Sequence, residues 1–139
     1  MATAPRSEAA ALPVRAGEEP WSGSELAEVR QMLEEDAEGL RADIAKAESQ
    51  IADRLDNGLR DAGDDEADVG VKTFEREHEY AMTSTARELL EQTEKALARI
   101  DAGSYGVCES CGQPIGKERL MVFPRAVLCV SCKQREERR

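Results

Sequence analysis

The 139-residue chain has few aromatic residues and a single histidine, and both shortages limit what it can be. Phe, Trp and Tyr make up 4% of the sequence, charged residues make up 35%, and alanine inflates the hydrophobic share of 40%. Such a composition supplies little material for a globular core and fits a long, solvated helical element. One histidine and no glycine-rich phosphate loop leave no nucleophile with its base and no nucleotide-binding motif, so we expect no enzyme.

The sequence also lacks targeting and membrane-spanning signals. No stretch approaches the roughly 20 apolar residues of a membrane span, and charged residues interrupt the first 20 positions, which excludes a secretion signal. We therefore expect a cytoplasmic protein without membrane contact. Residues 1–103 hold 12 Lys+Arg against 25 Asp+Glu, whereas residues 104–139 hold 7 against 4. This acidity argues against non-specific binding of nucleic acid and fits docking onto a basic protein surface.

Four cysteines near the C-terminus carry the strongest pattern. They form two C-x2-C pairs separated by seventeen residues: Cys108, Cys111, Cys129 and Cys132. This spacing is typical of a structural zinc site, in which four thiolates surround the ion at about 2.3 Å. Two disulfides in a secreted module, or a redox C-x-x-C, are the alternatives. A reducing compartment and the doubled motif favour one closed, structural Zn²⁺.

Apolar residues recur three or four positions apart in two stretches upstream of the cysteines. Ser22 or Ser24 can cap the first helix, whose first plausible stop is Asn57-Gly58, although it can extend partway into residues 60–70. The second helix starts near Val71, and Gly103 ends it. Two such seams predict an antiparallel coiled-coil hairpin over residues 22–103. We interpret His78, on the second seam, as a packed or partly exposed filler and not a ligand. The seams comprise Leu26, Val29, Leu33, Ala37, Leu40, Ile44, Ala47, Ile51 and Leu55, then Val71, Phe74, His78, Ala81, Thr85, Leu89, Thr93, Ala96 and Ile100.

The segments outside the two seams complete the predicted organisation. Residues 61–70 are acidic and glycine-containing, which predicts a turn at the tip of the hairpin. A plain solvated loop is the alternative to a partner-binding tip. Residues 1–21 lack periodicity and predict a disordered tail, with Trp21 either anchored on the fold or exposed. Residues 104–139 form the zinc-finger domain, with a short strand or loop over 119–128 and a C-terminal helix. The candidate tip residues are Asp64, Asp65, Asp68 and Gly70.

The residues around the cysteines, with the acidic-tipped hairpin, resemble the DksA/TraR family of bacterial transcription factors. The resemblance runs from about residue 25 to residue 135 and includes Tyr105-Gly-Val-Cys-Glu-Ser-Cys-Gly112, Ile115-Gly, Pro124-Arg-Ala and Leu128-Cys-Val-Ser-Cys-Lys133. It implies a mainly α protein that binds RNA polymerase directly, and not a specific DNA sequence. The hairpin tip would enter the secondary channel and modulate initiation near the active centre.

The cysteine pairs and the two apolar seams are also compatible with three other functions. A zinc-ribbon and coiled-coil scaffold or dimerisation module is the first alternative, although we expect a monomer. A thiol redox protein and a cofactor for transcript cleavage by polymerase rank behind it. A mass twice that of the monomer would favour the scaffold, and titratable thiols in zinc-replete protein would favour redox chemistry.

Two departures from the family pattern bear on function. The family's tip carries Asp-x-Ala, where this chain has Asp68-Val69-Gly70. Some members also form a site for the alarmone ppGpp jointly with polymerase. Leu89 and Lys133 match two of its residues, whereas Gln92 and Phe123 replace two cationic ones. Because a polyphosphate ligand needs positive charge, we expect weak or absent synergy with ppGpp.

Overall fold

The chain is helical throughout most of its length in a computed structural model that describes residues 6–60 and 66–138, with side chains at 8–56, 70 and 73–138. Two long helices contact each other, which confirms the predicted mainly α fold. Among these residues, no helix is long and apolar enough to cross a membrane. The helices are α1 (Arg6–Ala10), α2 (Gly23–Arg60), α3 (Glu66–Ala102), α4 (Lys117–Val122) and α5 (Val130–Glu137).

Helix α2 begins with a reciprocal cap formed by Ser22 and Glu25. The Glu25 backbone N–H donates to Ser22 Oγ at 3.0 Å, and the Ser22 backbone N–H donates to Glu25 Oε1 at 2.9 Å. Each side chain thus satisfies a backbone donor that the first helical turn leaves without a partner. Of the two serines that the sequence offers as a cap, Ser22 takes that role.

Both long helices extend farther toward the predicted tip than the sequence pattern indicates. Helix α2 passes through Asn57-Gly58 to Arg60, and α3 begins at Glu66 instead of near Val71. A single glycine inside a helix costs only about 1 kcal/mol, and each further hydrogen bond in an established helix offsets that cost. Helix α2 therefore continues past Asn57-Gly58, the first plausible stop, as far as Arg60.

The seam on α2 is confirmed over most of its length. Leu26, Val29 and Leu33 are 2%, 1% and 0% exposed, and Ala37 is also buried. Farther along, the seam residues from Leu40 to Ile51 are half-buried. Leu55 is 48% exposed, so the last predicted position of this seam is wrong.

The seam on α3 is confirmed only in its C-terminal part. Thr93, Ala96 and Ile100 are buried, but Phe74, His78, Ala81 and Thr85 are exposed. The buried and half-buried positions include a series that steps by four and three alternately, through 79, 83, 86, 90, 93, 97 and 100, with 89, 96 and 99 beside it. This alternation is the 3.5-residue period of a two-helix seam. The predicted seam takes three successive steps of four residues between positions 81 and 93. Because each step is longer than the 3.5-residue period, the predicted positions rotate around α3 and leave the face that contacts α2.

The chain divides into two compact units. One comprises residues up to Asp36 and from Gln92 onward, and the other comprises Ala37–Glu91. In the second unit, which we call the distal arm, α2 and α3 are antiparallel, since Glu48 pairs with Arg87 and Arg54 pairs with Glu79.

The first unit, which we call the zinc head, contains the cysteines, both chain ends and the adjoining parts of α2 and α3. There Arg30 Nη2 lies 2.6 Å from Asp101 Oδ1 across the two long helices. Its core is made of side chains that are less than a tenth exposed, including Leu12, Trp21, Leu26, Val29, Leu33, Ile100, Tyr105, Ile115 and Leu120.

Two segments of the zinc head differ from the sequence expectation. We expected a disordered tail over residues 1–21, yet Ala9, Leu12 and Trp21 are buried in the core, and this selects the anchored alternative for Trp21. We also expected a strand or loop over residues 119–128, but α4 occupies 117–122 with Leu120 fully buried. Apolar runs this short do not distinguish a strand from a buried helix, and packing decides between them.

Candidate metal centre

Backbone hydrogen bonds shape the loop that carries the first cysteine pair. The Cys108 N–H donates to Gln113 O at 2.8 Å, and the Ile115 N–H donates to Gly106 O at 2.8 Å. Gly112, directly after Cys111, has φ of 73°, a left-handed conformation that glycine adopts without steric cost. These contacts fold residues 106–116 into the first zinc knuckle.

The second cysteine pair lies at the start of α5. Cys129 is the residue before the first helical turn, and Cys132 lies within that turn. The Glu109 N–H donates to Val127 O at 2.8 Å, which joins the first knuckle to the segment leading into the second pair. A hairpin-like loop and a helix start therefore present two sulfurs each.

The four cysteine sulfurs lie close enough together to surround one metal ion. Every pair of them is within 4.8 Å, and Cys111 Sγ is 3.9 Å from Cys129 Sγ. Four thiolates at about 2.3 Å from a central Zn²⁺ have their sulfurs about 3.8 Å apart. The donor set therefore fits zinc, and the four cysteines form a closed C4 site for one structural Zn²⁺.

The groups around Cys108 and Cys129 favour the thiolate form of both side chains. Burial opposes ionisation of Cys108, but backbone N–H groups of Cys111 and Cys129 outweigh it and lower the pKa of Cys108 to about 6. The backbone N–H of Cys132 similarly lowers the pKa of Cys129. Such N–H groups stabilise the charge that a zinc ligand must carry.

Crowding of the sulfurs makes the last thiol harder to ionise. A hydrogen bond from Ser110 lowers the pKa of Cys132, but the Cys129 side chain and burial outweigh it and raise that pKa to about 11. Four thiolates in one place repel each other, so a central cation is what makes the fully ionised set favourable. When bound, Zn²⁺ would supply that charge and tie the two pairs together.

Other predicted site residues occupy varied surroundings. Asp64 and Asp65 lie outside the described residues, whereas Asp68 and Gly70 fall within α3, and Gly70 is exposed. His78 is exposed on α3, which favours the exposed alternative over the packed one. It is not part of the cysteine cluster that forms the metal site.

The four positions compared with the ppGpp site are spread over three segments. Leu89 is half-buried and Gln92 is exposed on α3, and Lys133 is exposed on α5. Phe123 follows α4 and is 59% exposed, with the Arg119 guanidinium 5.7 Å from its ring centroid.

Comparison with known proteins reaches well beyond the cysteines. Residues 103–138 match the prokaryotic dksA/traR C4-type zinc finger. The RNA polymerase-binding transcription factor DksA of Escherichia coli K12 is 31% identical over 121 residues, covering 84% of this chain and 74% of that protein. The chain belongs to the DksA/TraR family. Because the relatives are transcription factors, the membership agrees with the prediction that the chain is not an enzyme.

Further DksA proteins support the same relationship. The RNA polymerase-binding transcription factor DksA of Caulobacter vibrioides is 39% identical over 75 residues, which is 54% of this chain and 53% of that protein. The solved structure of transcription factor DksA2 from Pseudomonas aeruginosa has a TM-score of 0.68 and 29% identity, covering 83% of this chain and 84% of that one. The DksA-like resemblance thus extends from the zinc finger to the overall architecture.

The segment before α2, apart from Trp21, is the part of the site that the sequence did not indicate. Leu12, Glu18 and Trp21 contact the zinc head, although nothing in their spacing is periodic. The one readable signal was the Ser22-x-x-Glu25 capping box, which fixes where the chain enters α2 and hence where Trp21 lies.

Proposed function

We propose that this protein regulates transcription in the cytoplasm by binding RNA polymerase directly, with the tip of the α2–α3 hairpin inserted through the secondary channel. The observation that carries the proposal is the 31% identity, over 84% of the chain, to a protein named as an RNA polymerase-binding transcription factor. The acidic composition of residues 1–103 supports docking on a basic surface. Zinc has a structural role in holding the head together.

The tip would act through carboxylates delivered near the active centre. Asp68 lies in the first turn of α3, where the helix dipole stabilises a negative charge. Such carboxylates can pair with Arg or Lys of the polymerase or approach its Mg²⁺. Initiation would change because the tip alters active-centre elements and the stability of open promoter complexes.

Site-specific photo-crosslinking tests the insertion. We would place a photo-reactive amino acid at Val69 and mix the protein with RNA polymerase core enzyme. The expected result is labelling of active-centre elements of the large catalytic subunits. A second protein, with the same amino acid at the exposed Glu38 on α2, is the matched control and should not label those elements.

The result that contradicts insertion is equal or absent labelling from Val69 while the zinc head remains folded. The scaffold hypothesis would then be preferred, and a solution mass twice that of the monomer would support it. We expect a monomer in solution.

Gly70 offers a test of the tip itself. An added Cβ at Gly70 would meet no atom within 4 Å, and alanine is more favourable than glycine in a helix by about 0.5–1 kcal/mol. We therefore expect Gly70→Ala, which restores the family's Asp-x-Ala, to strengthen the effect on initiation. The measurement is the lifetime of open complexes at a promoter that forms unstable ones, with Gly39→Ala as the control for general helix stabilisation. Equal effects of the two substitutions would argue against a role for the tip.

We further propose that the protein acts with little dependence on ppGpp. Phe123 is apolar and Gln92 is uncharged where other members place cations, and a polyphosphate ligand requires positive charge. Titrating ppGpp into a transcription assay should change the effect of the protein only slightly. A strong, dose-dependent change that requires this protein would contradict the proposal.

A further inference from the structure

The segment that precedes α2, residues 8–21, packs against the zinc head, and we call it the strap. Leu12 and Trp21 are 3% and 2% exposed. The Trp21 ring centroid lies 6.2 Å from that of Tyr105, at an interplanar angle of 57°, which is a favourable tilted aromatic contact. The strap is therefore held at both ends by buried side chains.

Tyr105, which contacts Trp21, also contacts the segment that leads to the second cysteine pair. Its hydroxyl donates to Pro124 O at 2.8 Å, and burial raises the pKa of Tyr105 above its ordinary value, so the phenol keeps the proton that it donates. Pro124 lies in the segment between α4 and the second cysteine pair. The position of Trp21 is thus coupled to the backbone that leads to Cys129.

The strap also covers both ends of the first zinc knuckle. Gly106 and Gly116 begin and end this loop, with φ of 96° and 113°. A Cβ added at Gly106 would lie 3.7 Å from Pro13 O, and one added at Gly116 would lie 2.9 Å from Arg15 Cδ. The strap therefore lies at ordinary contact distance from Gly106, beside Leu120 Cδ1 at 3.3 Å, and closer than a side chain would allow at Gly116.

A charged contact fastens the strap at the start of α4. The Glu18 carboxylate accepts the backbone N–H of Lys117 at 3.1 Å and that of Glu118 at 3.2 Å. It also accepts the N–H of Arg15 at 2.8 Å. Hydrogen bonds to an ionised acceptor are stronger than neutral ones, so this contact resists detachment.

We propose that the strap controls how long the zinc head retains its ion. Zinc leaves a C4 site only when at least one knuckle opens far enough for its thiolates to separate from the metal. With the strap docked, that opening also requires Pro13, Arg15 and Glu18 to leave the loop and α4, which raises the free energy of the open state. The match to the C4 zinc finger covers residues 103–138, so the strap is a component of this site from outside that module. The inference does not depend on the proposed function.

Zinc release from the full-length, zinc-loaded protein tests the proposal. We would follow transfer of zinc to an excess of a chromogenic chelator, with Trp21 fluorescence reporting whether the strap is docked. Leu12→Lys should release zinc about tenfold faster or more, because a lysine cannot occupy that buried position and the strap detaches. Ala11→Lys is the matched control, since Ala11 is the exposed neighbour on the same segment, and its release rate should stay unchanged.

Two further variants keep the test decisive if Leu12→Lys cannot be loaded with zinc. Glu18→Gln weakens only the contact with α4 and should release zinc about threefold faster. A chain that begins at Pro20 lacks the fastening altogether and should release zinc fastest. The proposal is overturned if this shortened chain and Glu18→Gln both release zinc at the rate of the full chain.

Discussion

Gly116 is a glycine because of a contact with a segment that is distant in the sequence. Its φ of 113° lies in a region that side chains rarely adopt, and the space where a Cβ would stand is taken by Arg15. The sequence shows only Ile115-Gly as part of a family resemblance. The contacting residue, Arg15, lies about a hundred residues earlier in the chain. A local sequence pattern therefore cannot indicate why this position is a glycine.

We expect Gly116→Ala to destabilise the zinc head by about 1–3 kcal/mol, because alanine is strained at this φ and its Cβ must displace Arg15. Gly39→Ala is the matched control, since Gly39 lies in α2 with nothing within 4 Å of an added Cβ. It should stabilise the protein by about 0.5–1 kcal/mol. Thermal unfolding monitored by Trp21 fluorescence checks both, and a neutral Gly116→Ala would contradict the close approach.

At the scale of elements, α2 and α3 show what apolar periodicity can and cannot predict. The seam on α2 was predicted correctly as far as Ile51 because its steps alternate between three and four there with a single repeated step of four. On α3 two apolar stripes compete, and the one through Phe74 and His78 is exposed. The buried stripe includes Glu79 and Thr83, which a search for apolar residues passes over. Glu79 is half-buried and pairs with Arg54 of α2, and the Thr83 hydroxyl donates to the backbone carbonyl of Glu79 at 2.9 Å.

The pair Arg54 and Glu79 should matter more to the distal arm than the pair Arg87 and Glu48. The Glu79 side chain is 21% exposed, and its Oε2 is buried with no hydrogen-bond partner among the described residues. Among the described residues Arg54 is the cation paired with Glu79, and its Nη1 also lies 3.8 Å from Glu75 Oε2, so Arg54→Met, which removes both contacts, should cost roughly 1–3 kcal/mol. Both Arg87 and Glu48 are about half exposed, so Arg87→Met should cost less than about 1 kcal/mol.

Amide hydrogen exchange along α3 distinguishes these two substitutions. Arg54→Met should accelerate exchange around Thr83, and Arg87→Met should have little effect. Equal acceleration by both would mean that the burial of Glu79 does not add to the strength of its pair.

The contact of the strap with α4 should weaken in acid. Burial opposes ionisation of Glu18, but hydrogen bonds from the backbone N–H groups of Arg15, Lys117 and Glu118 lower its pKa below the usual 4.5. A lowered pKa in the folded state means that the carboxylate stabilises the fold above pH 4.5 and loses this contribution as the pH falls through the folded-state pKa. The unfolding free energies of the protein and Glu18→Gln should therefore differ most near neutral pH and converge in acid.

Urea unfolding at a series of pH values, in the same zinc buffer for both proteins, checks this convergence. Because Glu18→Gln is expected to release zinc faster, only pH values at which both proteins remain zinc-loaded enter the comparison. A difference in unfolding free energy that stays constant from neutral pH to well below 4.5 would contradict a stabilising role for the ionised Glu18 carboxylate at the start of α4.

At the scale of the whole molecule, the zinc head and the distal arm are built on different principles. The head has a buried aromatic and aliphatic core with a metal site, whereas α2 and α3 of the distal arm meet through half-buried aliphatic residues and ion pairs. The sequence predicted the cysteine ligands and the hairpin because both are local patterns of spacing. It did not predict that residues 8–21 complete the head, since that contact joins residues far apart in the chain and leaves no period.

Removal of zinc should therefore affect the two units unequally. Zinc binding to four thiolates is folding free energy for a small module, so a chelator, or Cys132→Ser, should expose Trp21 and abolish the tertiary structure of the head. The two long helices contain 38 and 37 residues, whereas α4 and α5 contain 6 and 8. Most of the circular dichroism at 222 nm should survive, because α2 and α3 also pair within the distal arm. Ser131→Ala, beside the ligand, is the matched control and should retain both signals. Loss of the helical signal in proportion to the Trp21 signal would show that the distal arm has no stability of its own and folds only with the head.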